Sequence, residues 1–534
     1  MDPTLPLTKS MPRFSPASHD DPAYPEVNLF AALRAAFPAD LRACAVETDT
    51  GLHYSWQDLD EATAMVANLF SALKLEPGAR VVAQVEKSVE AMVLYLATLR
   101  AGLVYVPLNT AYQQAEMAYF MADAQPAVVV CGTAQFGWIS KMAFSGGCAY
   151  VFTLNGDRTG SLLDRASQCA RTHAIAPARP DDPAAIIYTS GTTGRSKGAM
   201  LSHGNLLSNA RVLQQYWGWR TPEQGGDVLI HTLPIFHVHG LFVAIHGALI
   251  NGSKMIWCTQ FNPRQVLQYM PHATVFMGVP TLYVRLLAEP GLNRAVAAAM
   301  RLFISGSAPM LIETFTDWQQ RTGHTILERY GMSETVILSS NPCMPQDGVR
   351  RGGTVGRALP GVQLRVQDDA GHTLAAGEVG GIQVRGPNVF KGYWHMPEKT
   401  QEDFTSDGFF KTGDVGRMEL NGYVTIVGRS KDIIISGGYN VYPAEIEGVI
   451  NGLPGVAESA VVGVADADFG EVGIAVVVAK QGETLDPVNI LATLKTMLAN
   501  FKIPKRCCVV AELPRNAMGK VQKNVLRGQY QPHP

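Results

Sequence analysis

Short apolar runs alternate with longer amphipathic stretches through the first two-thirds of the chain. Continuous apolar runs at Arg80–Val85, Ala127–Cys131 and Ala184–Tyr188 predict strands buried within a sheet. Further strands are predicted, with helices between them, at Asp227–Leu233, Lys254–Cys258, Thr274–Gly278, Arg301–Ser305 and Thr325–Leu327. This alternation predicts an α/β fold in which two mainly parallel sheets are covered by helices on both faces.

The pattern changes after about Gly352, where glycines become dense. Alternating residues at Val362–Val366 and Gly381–Arg385 predict antiparallel strands. We expect these strands to complete the large N-terminal domain as a distorted β-barrel.

A second change follows Asp432. Two strands rich in Val and Ala, at Ser459–Val464 and Val472–Ala479, precede a helix at about 487–500. These elements predict a small, separate α+β domain at the C-terminal end of the sequence.

Bulk composition narrows the class of protein further. Apolar residues make up 47% of the 534 residues and charged residues 17%, which is typical of a well-packed globular protein. The formal net charge of −2 gives no electrostatic basis for binding nucleic acid or an anionic membrane. The eight cysteines show neither a C-x-x-C pair nor zinc-site spacing, which favours reduced thiols in a cytoplasmic protein.

Two segments bear on targeting and membranes. The first thirty residues contain Asp20 and Asp21 and no continuous apolar core, so they indicate neither a secretory signal nor an organellar transit peptide. The segment Val228–Ser253 lacks Asp, Glu, Lys and Arg, but Pro234 and Gly240 would break any single helix there. We therefore predict a buried strand, a turn and a buried helix, and no membrane span.

A loop rich in Gly, Ser and Thr follows the strand predicted at Ala184–Tyr188. Glycines let the backbone bring its amides against an anion, and hydroxyls and a lysine add donors for phosphate oxygens. It is not a Walker A loop, because Ser196 stands where that motif requires its second glycine. Such a stretch alone is usually a flexible turn, but the preceding strand and the lysine favour phosphate binding. The loop residues are Thr189, Ser190, Gly191, Thr192, Thr193, Gly194, Arg195, Ser196 and Lys197.

Two further groups of polar residues could complete a nucleotide site. The segment Glu328–Thr335 follows a predicted strand, at the end of an α/β sheet where ligands bind. Within it, Tyr330 offers a ring face for a purine and Glu334 offers a hard oxygen ligand for Mg²⁺. Asp414 could accept hydrogen bonds from ribose hydroxyls. Each feature by itself is also compatible with an exposed turn or a capping acid.

In this order along the chain, the motifs resemble the acyl-adenylate-forming superfamily of acyl-CoA synthetases, luciferases and peptide-synthetase adenylation domains. The resemblance extends from about Asn28 to Arg527 and includes the segments Gly437–Glu447 and Pro514–Lys520. Members of this superfamily join a carboxylate to the α-phosphate of ATP and expel pyrophosphate. The resemblance implies ATP and coenzyme A as co-substrates, with Mg²⁺ as the metal.

The resemblance assigns each motif a role in the ATP site. The loop at Thr189–Lys197 would hold the β- and γ-phosphates, with Mg²⁺ on Glu334 and Thr192. Asp414 and Arg429 would fix the ribose. The adenine pocket would be lined by Ser307, Ala308, Glu328, Arg329, Tyr330, Gly331, Met332 and Ser333.

The resemblance, with the element pattern, also divides the chain into domains. A loose leader at 1–27 precedes a large ATP- and acid-binding domain at 28–429, a hinge at 430–432 and a small mobile lid domain at 433–534. Lys520 on the lid would be the catalytic bridge between the carboxylate and the α-phosphate, and Lys431 would mark the hinge. After the lid rotates, Gly437 and Gly438 would line the pantetheine tunnel. The lysine that matches Lys520 is acetylated in relatives, which implies a lysine acetyltransferase as a further partner.

Within the superfamily, the sequence is most similar to malonyl-CoA synthetases. That likeness is carried by the segments Leu233–Phe242, Arg301–Pro309, Gly386–Trp394 and Met518–Asn524. Malonate has a second carboxylate that needs a buried partner, and a guanidinium can bind it through two hydrogen bonds. We assign this role to Arg301, with His237 guarding an acyl pocket that Ser305 and Gly306 would line.

Two alternative functions use the same ATP site. A medium-chain fatty or aryl acid:CoA ligase is the nearer one, because arginine at position 301 and histidine at position 237 also occur in other branches of the superfamily. An adenylation module that loads a carrier protein belongs to another class. The Lys520 turn argues against a non-catalytic role, and the sequence contains no carrier attachment signature after the small domain.

Overall fold

The computed structural model describes residues 27–189, 196–436, 439–466, 468–516 and 520–531. Within these ranges four sheets form, and two of them are mainly parallel and built from strands that alternate with helices. This arrangement confirms the α/β fold class that the sequence pattern predicts.

Strands and helices alternate up to about residue 330, after which strands predominate. The strands up to residue 429 are β1 (Cys44–Thr48), β2 (His53–Ser55), β3 (Arg80–Gln84), β4 (Val104–Pro107), β5 (Val128–Cys131), β6 (Tyr150–Thr153), β7 (Pro183–Thr189), β8 (Lys197–Ser202), β9 (Val228–His231), β10 (Lys254–Trp257), β11 (Val275–Gly278), β12 (Leu302–Ser305), β13 (Leu327–Tyr330), β14 (Ser339–Ser340), β15 (Arg357–Ala358), β16 (Gln363–Gln367), β17 (Val379–Arg385), β18 (Phe410–Met418) and β19 (Val424–Arg429). The helices of this region are α1 (Leu29–Ala35), α2 (Trp56–Ala72), α3 (Val89–Arg100), α4 (Gln114–Ala124), α5 (Thr133–Ser145), α6 (Ser161–Ala166), α7 (His203–Tyr216), α8 (His246–Leu249), α9 (Pro263–Tyr269), α10 (Pro280–Leu287), α11 (Ile312–Thr322) and α12 (Pro397–Asp403).

Sheet I has the strand order β6-β5-β3-β4-β7-β8. Its neighbouring strands are parallel except for β7 and β8, which are antiparallel. The apolar runs predicted at residues 80–85, 127–131 and 184–188 form β3, β5 and β7. Strand β8 lacks a continuous apolar run, and its pairing with β7 makes the phosphate loop the connection of a hairpin.

Sheet II has the order β15-β14-β13-β12-β11-β9-β10-β1-β2. The strands from β13 to β1 are parallel, and antiparallel pairs form only toward the edges. The carboxyl ends of β9, β11, β12 and β13 therefore meet at one edge, which is where ligands bind to open α/β sheets.

Helix α7 begins where the sequence predicts it. The Ser202 hydroxyl accepts a hydrogen bond from the Asn205 amide at 3.1 Å, and the Asn205 side chain accepts one from the Ser202 amide. Such a cap contributes about 1 kcal/mol to helix stability. Leu206, Ala210 and Leu213 are buried on one face, so the helix packs against the large core.

The uncharged segment 228–253 contains β9, a π-helix at His239–Ile245 and α8. A side chain at Gly240 would come within 2.1 Å of the Pro234 carbonyl oxygen, so the close turn before the π-helix requires glycine. The segment is buried in protein, as predicted. Across the described residues, no helix is long and apolar enough to cross a membrane.

The region predicted to be a distorted β-barrel forms an antiparallel sheet, Sheet III, with the order β16-β17-β18-β19. The predicted alternating runs lie in β16 and β17 and pair with each other. Among the described residues, β16 and β19 do not pair with each other. The expected barrel is thus corrected to an open sheet, because hydrogen bonding does not join its two edges.

The C-terminal part of the chain has hydrophobic cores of its own. Sheet IV, with the order β21-β20-β23-β22 and β24 paired to β23, carries three helices among the described residues. Its buried clusters draw only on residues 434–526, whereas the large core ends at Val424. Its elements are β20 (Ile434–Ser436), β21 (Tyr439–Val441), β22 (Val456–Asp466), β23 (Gly470–Ala479), β24 (Arg506–Val510), α13 (Pro443–Asn451), α14 (Pro487–Met497) and α15 (Lys523–Tyr530).

Candidate active site

The described ends of the phosphate loop are fixed by strand pairing and by the Tyr119 side chain. Thr189 of β7 pairs with Lys197 of β8, which brings the two ends of the loop together. The Tyr119 hydroxyl donates a hydrogen bond to the Ser196 carbonyl oxygen at 2.6 Å. The predicted phosphate-binding residues Ser190–Arg195 lie outside the described residues, as do the predicted coenzyme A residues Gly437 and Gly438.

Glu334 faces the same region from the loop that follows β13. Its side chain is buried and accepts a hydrogen bond from the Tyr393 hydroxyl at 3.0 Å. Burial raises the pKa of this carboxyl, and the Tyr393 hydrogen bond counteracts part of that rise. Among the described residues, no group of three His, Cys, Asp or Glu side chains could hold a metal alone. A single carboxylate still fits Mg²⁺, which is usually held by one or two carboxylates together with substrate phosphates.

Asp414 joins the two segments predicted to bind the nucleoside. One carboxylate oxygen accepts a hydrogen bond from the Tyr330 hydroxyl at 2.5 Å, and the other pairs with the Arg429 guanidinium at 3.2 Å. The Thr412 hydroxyl accepts a hydrogen bond from the Asp414 amide. The structure therefore brings Tyr330, Asp414 and Arg429 together, as the sequence predicts.

The remaining predicted adenine-site residues lie at the carboxyl ends of β12 and β13. Ser307 and Ala308 are exposed, and Ser307 adopts a positive φ of 72° in the turn after β12. Gly331, Met332 and Ser333 are half-buried in the turn after β13. A side chain at Gly331 would meet the Val336 carbonyl oxygen at 1.8 Å. Glycine is needed there for the chain to double back.

Glu328 has a structural rather than a pocket-lining position. Its carboxyl accepts hydrogen bonds from the Gly353 amide, at 3.0 Å, and from the Met310 backbone. Burial raises the pKa of this carboxyl to about 8 despite these hydrogen bonds. Glu328 thereby joins two loops that surround the predicted adenine site.

Lys520 reaches the same region from the C-terminal part of the chain. Its ammonium group interacts electrostatically with Asp414, Asp432 and Glu334 and is repelled by Arg429. Burial of the ammonium group, and next the Arg429 charge, lower the pKa of Lys520. Three charged residues of the large domain, Asp414, Glu334 and Arg429, therefore lie within electrostatic range of a catalytic candidate of the small domain.

The backbone around Lys520 is held by local hydrogen bonds. The Lys520 amide donates to the Asn516 side-chain oxygen at 2.9 Å, and the Asn516 amide donates to the Lys520 carbonyl oxygen at 2.9 Å. Beyond it, the Lys523 ammonium pairs with Glu447 of α13 at 2.6 Å. These contacts fix the base of the Lys520 side chain on the small domain.

The predicted hinge residue Lys431 lies in a short 3-10 turn at Ser430–Asp432, between Sheets III and IV. Burial, and next the nearby Arg429 charge, lower the pKa of Lys431 to about 8. The turn separates the large core from the small-domain cores, which is where a hinge is expected.

Several of the buried polar side-chain atoms that lack hydrogen-bond partners in the described part of the chain lie near the carboxyl ends of β9, β12 and β13. Among them are Ser305 Oγ, His237 Nε2, His239 Nε2 and the Nε and Nη2 atoms of Arg329. An unpaired buried polar group costs about 1–3 kcal/mol, so such groups at the ends of neighbouring strands are typical of a site that a ligand completes. We call His237, His239, Ser305, Gly306 and Arg329 the acyl pocket.

Arg329 is the charged residue of this pocket. Strand alternation turns its side chain to the opposite face of β13 from Glu328 and Tyr330. An atom placed at the Cβ position of Gly306 would lie 2.5 Å from the guanidinium carbon, so the guanidinium lies directly over Gly306. Burial lowers the pKa of Arg329 to about 9. The family resemblance placed Arg329 among the adenine-lining residues; the available signal was its alternate position in the strand, between Glu328 and Tyr330.

The two histidines of the pocket are uncharged near neutral pH. Burial, and next the Lys520 charge, lower the pKa of His237 to about 4. Burial and the Arg329 charge hold the pKa of His239 well below its usual value. The pocket therefore presents one positive group, Arg329, among neutral donors and acceptors.

Arg301 does not lie in this pocket, which corrects the sequence-based assignment. Arg301 immediately precedes β12, whereas the pocket lies at the other end of that strand. The strand has four residues, so its two ends are about 13 Å apart. Its guanidinium makes two hydrogen bonds to the buried Asp227, at 3.1 and 2.7 Å, and a third to the Trp217 carbonyl oxygen. Because these contacts occupy the guanidinium, Arg301 is part of the fold and is not available to a substrate.

Replacing Arg301 by leucine is expected to lower the free energy of unfolding by about 3 kcal/mol, because Asp227 would keep a buried charge without its partner. Urea unfolding measures this change. Activity per folded molecule should fall equally for every acid substrate. A loss confined to a dicarboxylic acid, without loss of stability, would contradict this structural role.

Replacing Gly306 by alanine is expected to raise the KM for the acid about tenfold, because the added methyl group would displace the Arg329 guanidinium. The KM for ATP should change much less, since Arg329 faces away from Tyr330. Steady-state kinetics with each substrate varied in turn test this prediction. An unchanged KM for the acid would show that Arg329 does not line the pocket.

Two protein-family models match this chain. The family model described as AMP-binding enzyme matches residues 32–394, and the model described as AMP-binding enzyme C-terminal domain matches residues 445–520. Together these matches include both the phosphate-loop region and Lys520.

Relatives of known name are similar over most of their length. A malonate–CoA ligase of Arabidopsis thaliana is 34% identical over 550 residues, which cover 94% of this chain and 89% of the relative. The mitochondrial malonate–CoA ligase ACSF3 of Homo sapiens is 33% identical, covering 82% of this chain and 80% of the relative. The crystal structure of ATP-bound MatB from Rhodopseudomonas palustris is 53% identical with a TM-score of 0.91, covering 95% of this chain and 99% of that one.

Proposed function

The chain belongs to the AMP-binding enzyme family as an AMP-forming acyl-CoA synthetase, and on this premise we propose that it joins malonate to coenzyme A. ATP is the energy source, and AMP and pyrophosphate are released. Methylmalonate, which adds one methyl group to the same dicarboxylate, is the second acid that we expect to react.

The observation that carries the choice of acid is the unpaired Arg329 guanidinium in the acyl pocket. A buried cation without a partner is unfavourable, and a second carboxylate would supply both the opposite charge and two acceptors. A fatty or aryl acid brings neither. The pocket therefore supports malonate over the monocarboxylic alternatives.

In the first half-reaction two anions must approach each other, so the enzyme has to supply positive charge and positioning. We propose that Arg329 holds the distal carboxylate of malonate. Lys520 bridges the reacting carboxylate and the α-phosphate, and neutral His237 closes the acyl pocket. The segment Thr189–Lys197 holds the β- and γ-phosphates, while Asp414 and Arg429 fix the ribose.

Glu334 is the proposed protein ligand of Mg²⁺, with Thr192 as a second candidate. When bound, the metal would neutralise phosphate charge and favour the departure of pyrophosphate. Glu334 is suited to this role because it is buried, hydrogen-bonded by Tyr393 and within the electrostatic reach of Lys197.

The second half-reaction is proposed to use a rotated lid. The domain boundaries predicted from the sequence, a large domain at 28–429 and a lid at 433–534, agree with the separate hydrophobic cores. Rotation about Lys431 would withdraw Lys520 and bring Gly437 and Gly438 to the acyl-adenylate, where coenzyme A attacks the carbonyl carbon and AMP leaves.

The proposal is tested by the release of pyrophosphate and the formation of thioester from malonate, methylmalonate, acetate, butyrate and coumarate. Malonate is expected to react best, and thioester should form only when coenzyme A is added. Better activity with butyrate or coumarate would favour the fatty or aryl acid alternative. Transfer to a carrier protein but not to coenzyme A would favour the adenylation module.

Two expectations about the cellular setting remain proposals. A cytoplasmic location follows from the sequence features alone, whereas the human relative is mitochondrial by name. Acetylation of Lys520 by a lysine acetyltransferase would remove the charge that the first half-reaction uses.

A further inference from the structure

Tyr393 contacts two of the groups that would surround the ATP phosphates. Its hydroxyl donates a hydrogen bond to Glu334 at 3.0 Å, and the Lys197 ammonium lies 4.1 Å from the centre of its ring. Backbone hydrogen bonds from Trp394 to Gly198 and from Met200 to Gly392 attach this segment to β8. Tyr393 is therefore held beside Lys197 by the backbone as well as by its own side chain.

Asp403, at the end of α12, also contacts Lys197. Its carboxylate is 3.5 Å from the Lys197 ammonium and 2.9 Å from the Lys399 ammonium. The side chains of Lys197 and Asp403 are only 23% and 20% exposed, so water screens this pair less than a surface pair. In this structure the counter-ion of Lys197 is thus a carboxylate of the protein.

We propose that Tyr393 and Asp403 are positioning residues that set the affinity for the ATP phosphates. Asp403 is an internal counter-ion that the phosphates displace from Lys197. Tyr393 keeps Lys197 over its ring and orients the Glu334 carboxylate toward Mg²⁺. This inference rests on the proposed function, because it assumes that Lys197 contacts phosphate and that Glu334 binds the metal.

Lys197 can exchange Asp403 for a phosphate at low cost because Asp403 also pairs with Lys399. When Lys197 turns to a phosphate, Asp403 keeps its closer ion pair with Lys399, so no partly buried carboxylate is left alone. The remaining negative charge of Asp403 still opposes the approach of the phosphates. The ion pair between Asp403 and Lys197 therefore limits ATP affinity. It also holds the Lys197 side chain in a defined place.

Calorimetric titration with ATP in the absence of acid measures binding without turnover, both with and without Mg²⁺. Asp403→Asn is expected to tighten ATP binding about three- to tenfold with or without Mg²⁺, because it removes the competing charge. The matched control is Glu402→Gln. Glu402 also pairs with Lys399, at 3.0 Å, but within the described part of the chain it makes no ion pair with Lys197, so its change should leave ATP affinity within about twofold.

Tyrosine variants separate the two contacts of Tyr393. Tyr393→Phe keeps the ring and loses the hydrogen bond to Glu334, so it should weaken binding of MgATP about tenfold and leave metal-free ATP unchanged. Tyr393→Leu also loses the ring and should weaken both forms. In a Lys197→Met background, Asp403→Asn should tighten ATP binding less than it does when Lys197 is present, because the competition for that lysine is already gone.

Each outcome bears on the inference. Unchanged or weaker ATP binding by Asp403→Asn overturns the counter-ion role, and equal weakening of both ATP forms by Tyr393→Phe overturns the orienting role. Thermal unfolding of every variant shows whether its fold is retained. If a larger change unfolds the protein, the conservative variants Tyr393→Phe and Asp403→Asn are enough to test the inference. Failure of the unmodified protein to bind ATP would instead reject the proposed function.

Discussion

Replacing Lys520 by alanine is expected to reduce malonyl-adenylate formation by about 10²- to 10³-fold, which is typical for loss of one charge-stabilising group in a reaction between anions. The conversion of preformed malonyl-adenylate to malonyl-CoA should be retained. The physical reason is that the Lys520 ammonium lies, in the described arrangement, within electrostatic range of Glu334 and Asp414. In the rotated arrangement proposed for thioester formation it would be withdrawn.

The measurement is pyrophosphate release for the first half-reaction and thioester formation from supplied adenylate for the second. Lys523→Ala is a suitable neighbouring control, because that lysine pairs with Glu447 inside the small domain and should affect stability instead. Equal loss of both half-reactions in Lys520→Ala would contradict a lid that works in two orientations.

Replacing Arg329 by methionine is expected to lower kcat/KM for malonate by about 10²- to 10⁴-fold. The estimate follows from the roughly 3–5 kcal/mol lost when one partner of a buried ion pair is removed. Activity with butyrate should be retained or should rise, because the monocarboxylate no longer enters a pocket with an unpaired charge. Arg329→Lys should be intermediate, since an ammonium keeps the charge but not the paired donors.

The same variant has a stability signature that is opposite to that of Arg301→Leu. The Arg329 guanidinium has two unpaired buried atoms, so its removal should raise the unfolding midpoint of the empty protein. Arg301→Leu is the matched control, and it should lower stability without changing the preference between malonate and butyrate. An Arg329→Met protein that keeps its preference for malonate would reject the proposed substrate pocket.

Much of the fold could be predicted because its signals are local. The predicted strands at 80–85, 127–131 and 184–188 form β3, β5 and β7, and Ser202 caps α7 as expected. Apolar periodicity and capping residues act over a few positions, so the elements they specify can be recognised without knowledge of tertiary contacts. Strand β8 was missed because its pairing with β7, and not an apolar run, makes it a strand.

The nucleotide site could also be predicted in part. Tyr330, Asp414 and Arg429 come together as expected, and Lys520 reaches them from the small domain. These residues belong to motifs whose order along the chain is itself a signal. The contacts of Tyr393 and Asp403 with Lys197 were not predicted, because residues about two hundred positions apart become neighbours only after β8 pairs with the segment before α12.

The sequence by itself determined the α/β class, the position of the phosphate loop and the family resemblance, since all three depend on residues near one another or on their order. Only the tertiary structure decided which arginine is available to a ligand. Arg301 lies at the amino end of β12, paired with Asp227 from 74 residues away, while two guanidinium nitrogens of Arg329, at the end of β13, have no hydrogen-bond partner among the described residues. Whether the fold gives a charged side chain a protein partner depends on long-range contacts that no local pattern records.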